Sequence, residues 1–184
     1  MSKTYRVKVD TITRDADGQR PVRLLPLPGV QGDVAAECEA DGWRRRDAAE
    51  PLVLEREFGT GRGTATATLD LRDGREGRLN VRASAQVDVI GESYDPLDRD
   101  SEGAQMAAED AERRRGGYEQ EADETVTAIV MDAEGPAVAS VTAAVNRGYA
   151  TALQRKAASM GVVESVERGT AANGSPELVI KVRV

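Results

Sequence analysis

The sequence predicts an α+β fold, an antiparallel sheet covered on one face by a long C-terminal helix. Two observations support this class. Apolar and polar residues alternate along residues 65–71 and again along 79–89, the pattern of an antiparallel hairpin with one buried face. Apolar residues then recur every three or four positions between Pro136 and Met160, which is the spacing of one helical face. With 184 residues, 40% of them hydrophobic, the chain is expected to form a single domain over residues 1–184.

The N-terminal part is predicted to supply further strands and a short helix. Strands are expected ahead of the hairpin at residues 5–12, 44–47 and 51–58. Residues 15–18 form a turn in this interpretation, and the proline-rich residues 21–28 form an edge strand or an extended loop. The short helix has Asp33 as its N-cap and ends at Gly42.

The C-terminal part is predicted to be a helix, a glycine and two strands. The apolar stripe of the helix consists of Val138, Val141, Val145, Tyr149, Leu153, Ala157 and Met160. Pro136 suits the first turn, and Gly161 suits the left-handed position that ends a helix. Strands at 162–168 and 178–184 follow. The same order of helix, glycine and two strands occurs at residues 33–58. This indicates either an internal duplication or the usual succession of helices, turns and strands in α+β proteins.

Residues 92–135 differ from the rest of the chain in charge. The stretch 92–136 holds 14 of the 32 acidic residues but only 4 of the 25 basic ones, so the formal net charge of −7 comes from this segment. We expect an acidic, helical insertion here, and one helix, two helices, or a helix followed by a strand at 125–131 all remain open. A surface of this charge would repel phosphate, so nucleic acid is not an expected partner.

The absence of histidine limits the chemistry that the chain can perform. Serine and cysteine triads that depend on an imidazole base are excluded. The single cysteine, Cys38, lies beside Ala35 and Ala36 in the predicted helix and suits a small buried residue better than a nucleophile. We therefore expect no enzymatic activity. The sequence also lacks an apolar run of about 18 residues and an apolar N-terminal stretch, so we expect a cytoplasmic protein without membrane insertion.

One group of carboxylates has the spacing of an EF-hand calcium loop. Its members are Asp98, Asp100, Glu102 and Glu109. Gly103 stands where the loop turns sharply, but Gln105 replaces the usual apolar residue and Pro96 interrupts the helix that should precede the loop. An acidic helix N-terminus explains the same residues. We therefore assign no metal and no cofactor, and Ca²⁺ is kept as an alternative.

Two groups of side chains are candidates for a protein interface. Arg44, Arg45 and Arg46 form either a positive rim for an acidic partner or a solvated strand face. Arg147 and Tyr149 lie on the long helix, where an ion pair and core packing would explain them as well as an interface does.

The residues around this second group resemble a known family. The series is Asn146-Arg147-Gly148-Tyr149-Ala150, Leu153-Gln154-Arg155-Lys156, Met160 to Glu167, Asn173-Gly174 and Leu178-Val179-Ile180. It is similar to the C-terminal half of a small bacterial and plastid domain family of unknown function. The strand at 5–13 and the helix ending Asp41-Gly42-Trp43 are similar to the family's opening. The sequence departs from the family pattern at Gly148 and lacks its Trp-Trp strand.

The resemblance implies a role beside a membrane-associated AAA+ ATPase or protease, because such domains occur in FtsH ternary systems. It implies no catalytic residues. The first hypothesis is therefore a non-enzymatic accessory module that docks on an FtsH-like AAA+ ATPase through the acidic segment or the edge strand 178–184. A module that binds a small ligand or Ca²⁺ is the alternative, and a hydrolase without histidine is the third. The oligomeric state is left open.

Overall fold

The computed structural model describes residues 3–73, 76–95, 100–170 and 176–183. In chain order its elements are β1 (Lys3–Arg23), α1 (Val30–Ala40), β2 (Arg44–Arg45), β3 (Val53–Gly59), β4 (Thr64–Asp70), β5 (Glu76–Asp95), α2 (Asp100–Met160), β6 (Val162–Thr170) and β7 (Pro176–Arg183). Five strands form an antiparallel sheet in the order β1-β5-β4-β3-β2, and β6 pairs with β7 in a second sheet. The predicted α+β class is confirmed.

The chain forms two compact units that share several elements. Unit 1 comprises residues 1–18, 58–66 and 81–134, and unit 2 comprises residues 19–57, 67–80 and 135–184. The strands β1, β3, β4 and β5 and the helix α2 each contribute residues to both units.

In unit 1 the helix approaches the strands through small residues. Ile12 of β1 and Val89 of β5 pack against Ala111 and Ala122 of α2. The approach is closest at Gly91, where an added Cβ atom would lie only 1.6 Å from the carbonyl oxygen of Ala107. Backbone therefore lies against backbone here, which only a glycine in β5 permits.

In unit 2 large side chains from the strands and from residues next to them fill the core. The largest fully buried ones are Trp43, Leu54, Leu69, Leu71 and Leu79. The helix contributes small residues again, among them Ala137, Ala144 and Ala152. At Gly148 a Cβ atom would lie 2.9 Å from the backbone nitrogen of Val34 in α1, so this glycine lets the two helices approach closely.

The continuity of α2 corrects the predicted helix boundaries. The helix runs from Asp100 to Met160, so the expectation that it begins at Pro136 is wrong, and the alternatives of two helices or of a strand at 125–131 are excluded. Pro136 cannot donate a backbone hydrogen bond. Ala133 and Ala137 on either side of it are buried, and packing of a helix face stabilises a helix more than local propensity does.

The apolar stripe of α2 also differs in detail from the predicted one. Val141, Val145 and Ala157 are buried as predicted, whereas Val138 is 38% exposed and Met160 is 61% exposed. The buried face instead passes through alanine and glycine positions such as Ala137, Ala144, Gly148 and Ala152. A pattern search weighted by hydropathy favours valine over these residues, which explains the shift.

Two N-terminal predictions are wrong as well. The turn expected at residues 15–18 is absent because β1 continues to Arg23. It neighbours β5, a strand of 20 residues, and ladder hydrogen bonds along such a partner outweigh local turn preferences. The N-cap of α1 is Gly29 in a left-handed conformation (φ 74°), and Asp33 lies in the first turn instead.

The C-terminal strands form as predicted within the described residues. Val163 lies opposite Val182 and Val166 opposite Ile180, with a register shift between Val163 and Ser165. Each helix is thus followed by an antiparallel strand pair, since β2 pairs with β3, but the two pairs belong to different sheets. The prediction of a duplication stays open.

One window of α2 has the length and composition of a membrane span. Its 18 residues have a mean hydropathy of 1.3, and 39% of the window is buried. The sequence-based expectation considered only uninterrupted apolar runs, whereas this window qualifies by its mean hydropathy. Core helices of soluble proteins meet the same criteria.

Replacement of Gly91 by alanine should unfold or strongly destabilise the protein. The added methyl group would collide with the Ala107 carbonyl oxygen, and overpacking against backbone costs about 3 kcal/mol or more. Gly116→Ala is the matched control, because Gly116 lies on α2 with no heavy atom within 4 Å of an added Cβ. That control should gain about 0.5–1 kcal/mol. Urea denaturation followed by circular dichroism measures both, and equal stabilities would contradict the close approach.

Candidate functional site

Arg147 joins α2 to α1 inside unit 2. Its Nε donates to Glu37 Oε2 at 2.7 Å, and its Nη2 donates to Asp41 Oδ2 at 2.5 Å. The bonds to Asp41 and Glu37 raise the pKa of the guanidinium. One planar fork thus holds a carboxylate from the last turn of α1 and the carboxylate of its C-cap, Asp41, which a lysine could not do with the same geometry.

Arg155 makes a second connection of the same kind. It forms an ion pair with Asp33 in the first turn of α1 and donates to the carbonyl oxygen of Pro28 at 3.4 Å. The arginines of α2 therefore contact both ends of α1. Asp33, which the sequence suggested as a helix cap, serves as the partner of this arginine.

Tyr149 binds the segment that precedes α1. Its hydroxyl donates to the carbonyl oxygen of Arg23 at 3.1 Å and accepts from the N–H of Leu25 at 3.0 Å. With Gly148 against Val34, the series Arg147-Gly148-Tyr149 forms one continuous contact with residues 23–41. The motif that carried the family resemblance thus acts within the chain, and its proposed interface role stays a prediction.

Ser140 and Arg56 are polar contacts that the sequence did not single out. The indole N–H of Trp43 donates to Ser140 Oγ at 3.0 Å, and Arg56 Nη1 donates to the same oxygen at 3.2 Å. Because Trp43 is almost fully buried, its N–H needs such an acceptor. In the sequence, the one sign of this contact is that Ser140 is the only serine in a stretch of mostly alanine and valine, residues 137–145.

The three candidate interface arginines differ in their surroundings. Arg45 forms a two-pronged ion pair with Glu39 at 2.7 and 3.0 Å, and this bond lowers the pKa of Glu39. Arg46 pairs with Glu50 at 3.0 Å. Arg44 is exposed and has no side-chain partner within the described residues. The structure therefore brings Arg45 and Arg46 into intramolecular pairs, and Arg44 retains the charge that a partner would meet.

The carboxylates of the calcium hypothesis do not form a loop. Asp98 lies outside the described residues, and the helix has begun at Asp100. Glu102 and Glu109 lie on α2 seven residues apart, which separates their backbones by about 10 Å. Within the described ranges, no group of three or more His, Cys, Asp or Glu side chains is arranged to hold a metal ion.

The basic run 113–115 is paired with carboxylates of unit 1. Arg115 Nη2 lies 2.7 Å from Asp10 Oδ2 on β1, and this hydrogen bond is the main reason that the pKa of Asp10 is lowered. Arg113 and Arg114 lie within 4 Å of Asp110. The run thus neutralises acids around it, as a solvated helix face would.

One cleft among the described residues does not resemble a small-molecule site. It measures about 300 Å³ and is lined by Asp70, Arg72, Asp73, Glu76 and Arg78. Ligand sites in proteins are mostly apolar with a few polar groups, whereas every residue of this lining is charged. Arg72 and Asp70 already satisfy each other at 2.6 Å.

Replacement of Arg147 by glutamine should loosen α1. The variant leaves two carboxylates without their fork, and because the side chain is 39% exposed we expect a loss of only about 1–2 kcal/mol. Arg62→Gln is the control, since Arg62 is exposed and has no side-chain partner among the described residues. Urea denaturation of both variants tests this, and hydrogen exchange of α1 amides should rise only for the first. An unchanged α1 would contradict the role of the fork.

Cys38 should be unreactive in the native protein. Its side chain is fully buried, and burial is the main cause that raises the pKa of the thiol from 9.0 to about 12. Thiol-specific labelling at pH 8 should therefore be slow in buffer and fast in denaturant. In the unfolded chain the thiol loses its proton first, so its contribution lowers stability as the pH rises from 9 towards 12. Rapid labelling without denaturant would contradict this burial.

The comparison with known proteins identifies a family. No curated protein and no solved structure matches the chain. The model of one family, described as FtsH ternary system domain X5, matches residues 1–184, the whole length of the chain. This agrees with the resemblance found from the Arg147-Gly148-Tyr149 series, and the protein therefore belongs to the FtsH ternary system domain X5 family.

Proposed function

We propose that this protein is a non-enzymatic accessory module that docks on the FtsH-like AAA+ ATPase of an FtsH ternary system. The observation that carries the proposal is the match of the family model to all 184 residues. The proposal places the module in the cytoplasm beside the ATPase and requires neither a metal nor another cofactor.

The pairing of the polar side chains supports a role without catalysis. Cys38 is buried with a raised pKa. The hydroxyls of Tyr149 and Tyr118 bind backbone carbonyl groups. The chain contains no histidine. The thiol and these two tyrosine hydroxyls are therefore buried or hydrogen-bonded, and an imidazole base is missing.

An exposed face of α2 in unit 1 supports docking. We define the acidic α2 face as Glu121, Glu124, Met131 and Asp132, which are all exposed and project from one side of the helix. Met131 is 69% exposed, and Glu121 and Asp132 have no cationic partner among the described residues. A flexible apolar side chain surrounded by carboxylates suits a partner surface that is apolar at its centre and basic at its rim.

Co-purification with the ATPase encoded in the same gene cluster tests the proposal. The tagged protein should retain the ATPase in at least one nucleotide state, and added salt should weaken the complex because it screens rim charges. If no nucleotide state gives a complex, the docking proposal is overturned.

Charge reversal tests which surface docks. The double variant Glu121→Lys with Asp132→Lys should weaken binding by about tenfold or more, since it places cations opposite a basic rim. Glu57→Lys with Asp73→Lys changes the net charge equally at exposed positions of unit 2 and should have little effect. Equal loss in both variants would show that net charge, not the acidic α2 face, governs the interaction.

A further inference from the structure

The outer edge of β1 is open in the described structure. β1 is the last strand of the five-stranded sheet, and β5 is its only neighbour there. It spans 21 residues, whereas β2 at the opposite edge spans two. A long edge presents a row of unpaired backbone N–H and C=O groups, which is a template for another strand.

The two halves of this edge carry opposite charges on the same face. Arg6 and Lys8 form ion pairs with Glu92 and Asp88 of β5, at positions that alternate with the helix-facing Val87, Val89 and Gly91. These cations therefore lie on the sheet face opposite α2. After pairing, the side chains of Arg6 and Lys8 are still 69% and 54% exposed.

The acidic residues of β1 lie on this same face because the alternation of buried and exposed residues shifts by one position along the strand, a shift that we call the change of phase. Tyr5 and Val7 are half-buried, but farther along Ile12 is buried and Arg14 pairs with Asp123 of α2. The helix-facing positions thus change from odd to even numbers between Val7 and Ile12. As a result, Asp15 and Asp17 lie on the same open face as the cations. Both are exposed, and neither has a side-chain partner among the described residues.

We propose that β1 pairs antiparallel with β1 of a second copy of this chain, extending the sheet across a two-fold axis. In this register Arg6 of one copy lies opposite Asp17 of the other, and Lys8 lies opposite Asp15. Both pairs fit the same register because Arg6 and Lys8 are two residues apart, as are Asp15 and Asp17. Opposite residues of an antiparallel pair share a face, which the change of phase makes possible. Two-fold symmetry repeats each pair, so the edge is complementary to itself.

Oligomeric mass and charge reversal test the proposal. In sedimentation equilibrium the protein should show twice the 19.7 kDa chain mass. The double variant Asp15→Lys with Asp17→Lys places like charges opposite each other and should weaken the dimer by about tenfold or more. It should still fold, since the replaced carboxylates have no intramolecular partner within the described residues. The control Glu121→Lys with Asp132→Lys changes the net charge equally and should remain dimeric.

A mixing experiment distinguishes this register from other dimers. The variant Arg6→Glu with Lys8→Glu should not dimerise alone, but its mixture with the Asp15→Lys, Asp17→Lys variant should give a heterodimer, because all cross-strand pairs become opposite in charge again. A monomeric wild-type protein would show that the edge charges keep strands apart, and would overturn the proposal. A dimer that survives Asp15→Lys with Asp17→Lys would overturn it too. Circular dichroism confirms that each variant is folded.

Discussion

The close approach of α2 to its neighbours, backbone against backbone, is the constraint on which the rest of the structure depends. Gly91 lies against the carbonyl of Ala107, and Gly148 lies against Val34. Alanine is the commonest buried residue on α2 between these points, and valine and isoleucine supply the rest of the buried face. The buried side chains of this face are small or medium-sized, and only 3% of the chain's residues are aromatic. Most of the large buried side chains come from the strands and from residues next to them instead. Because protein interiors are close-packed, exchanging large and small residues between the helix and the strands would destabilise the fold.

Arginine supplies the orientation that an alanine face cannot. Small residues give a smooth surface along which a helix could slide, whereas a guanidinium fork fixes both distance and direction. Arg147 and Arg155 fix α1 in this way, and Arg115 and Arg14 connect α2 to β1. Each of these pairs is partly exposed, so each is expected to contribute no more than about 1–2 kcal/mol. We infer that their main effect is to select one register among several of similar packing energy.

Features carried by local patterns were predictable from the sequence, and those set by distant partners were not. The alternation in β4 and β5 and the strands after Gly161 formed as expected, because period and turn chemistry are local signals. The helix across Pro136 and the strand through residues 15–18 override local signals by packing and ladder pairing. The site divides in the same way. The motif at Arg147 to Tyr149 was visible in the sequence, but its intramolecular partners were not, because Glu37, Asp41 and the backbone at residues 23–25 lie more than 100 positions away.

The two surfaces proposed for unit 1 are compatible with each other. The charged side chains of the β1 edge lie on the sheet face opposite α2, and the acidic α2 face points away from the buried side of that helix. A dimer through β1 would therefore leave both acidic faces accessible. Two linked docking faces bind a multi-subunit partner more tightly than one, because the second contact forms at a high effective concentration.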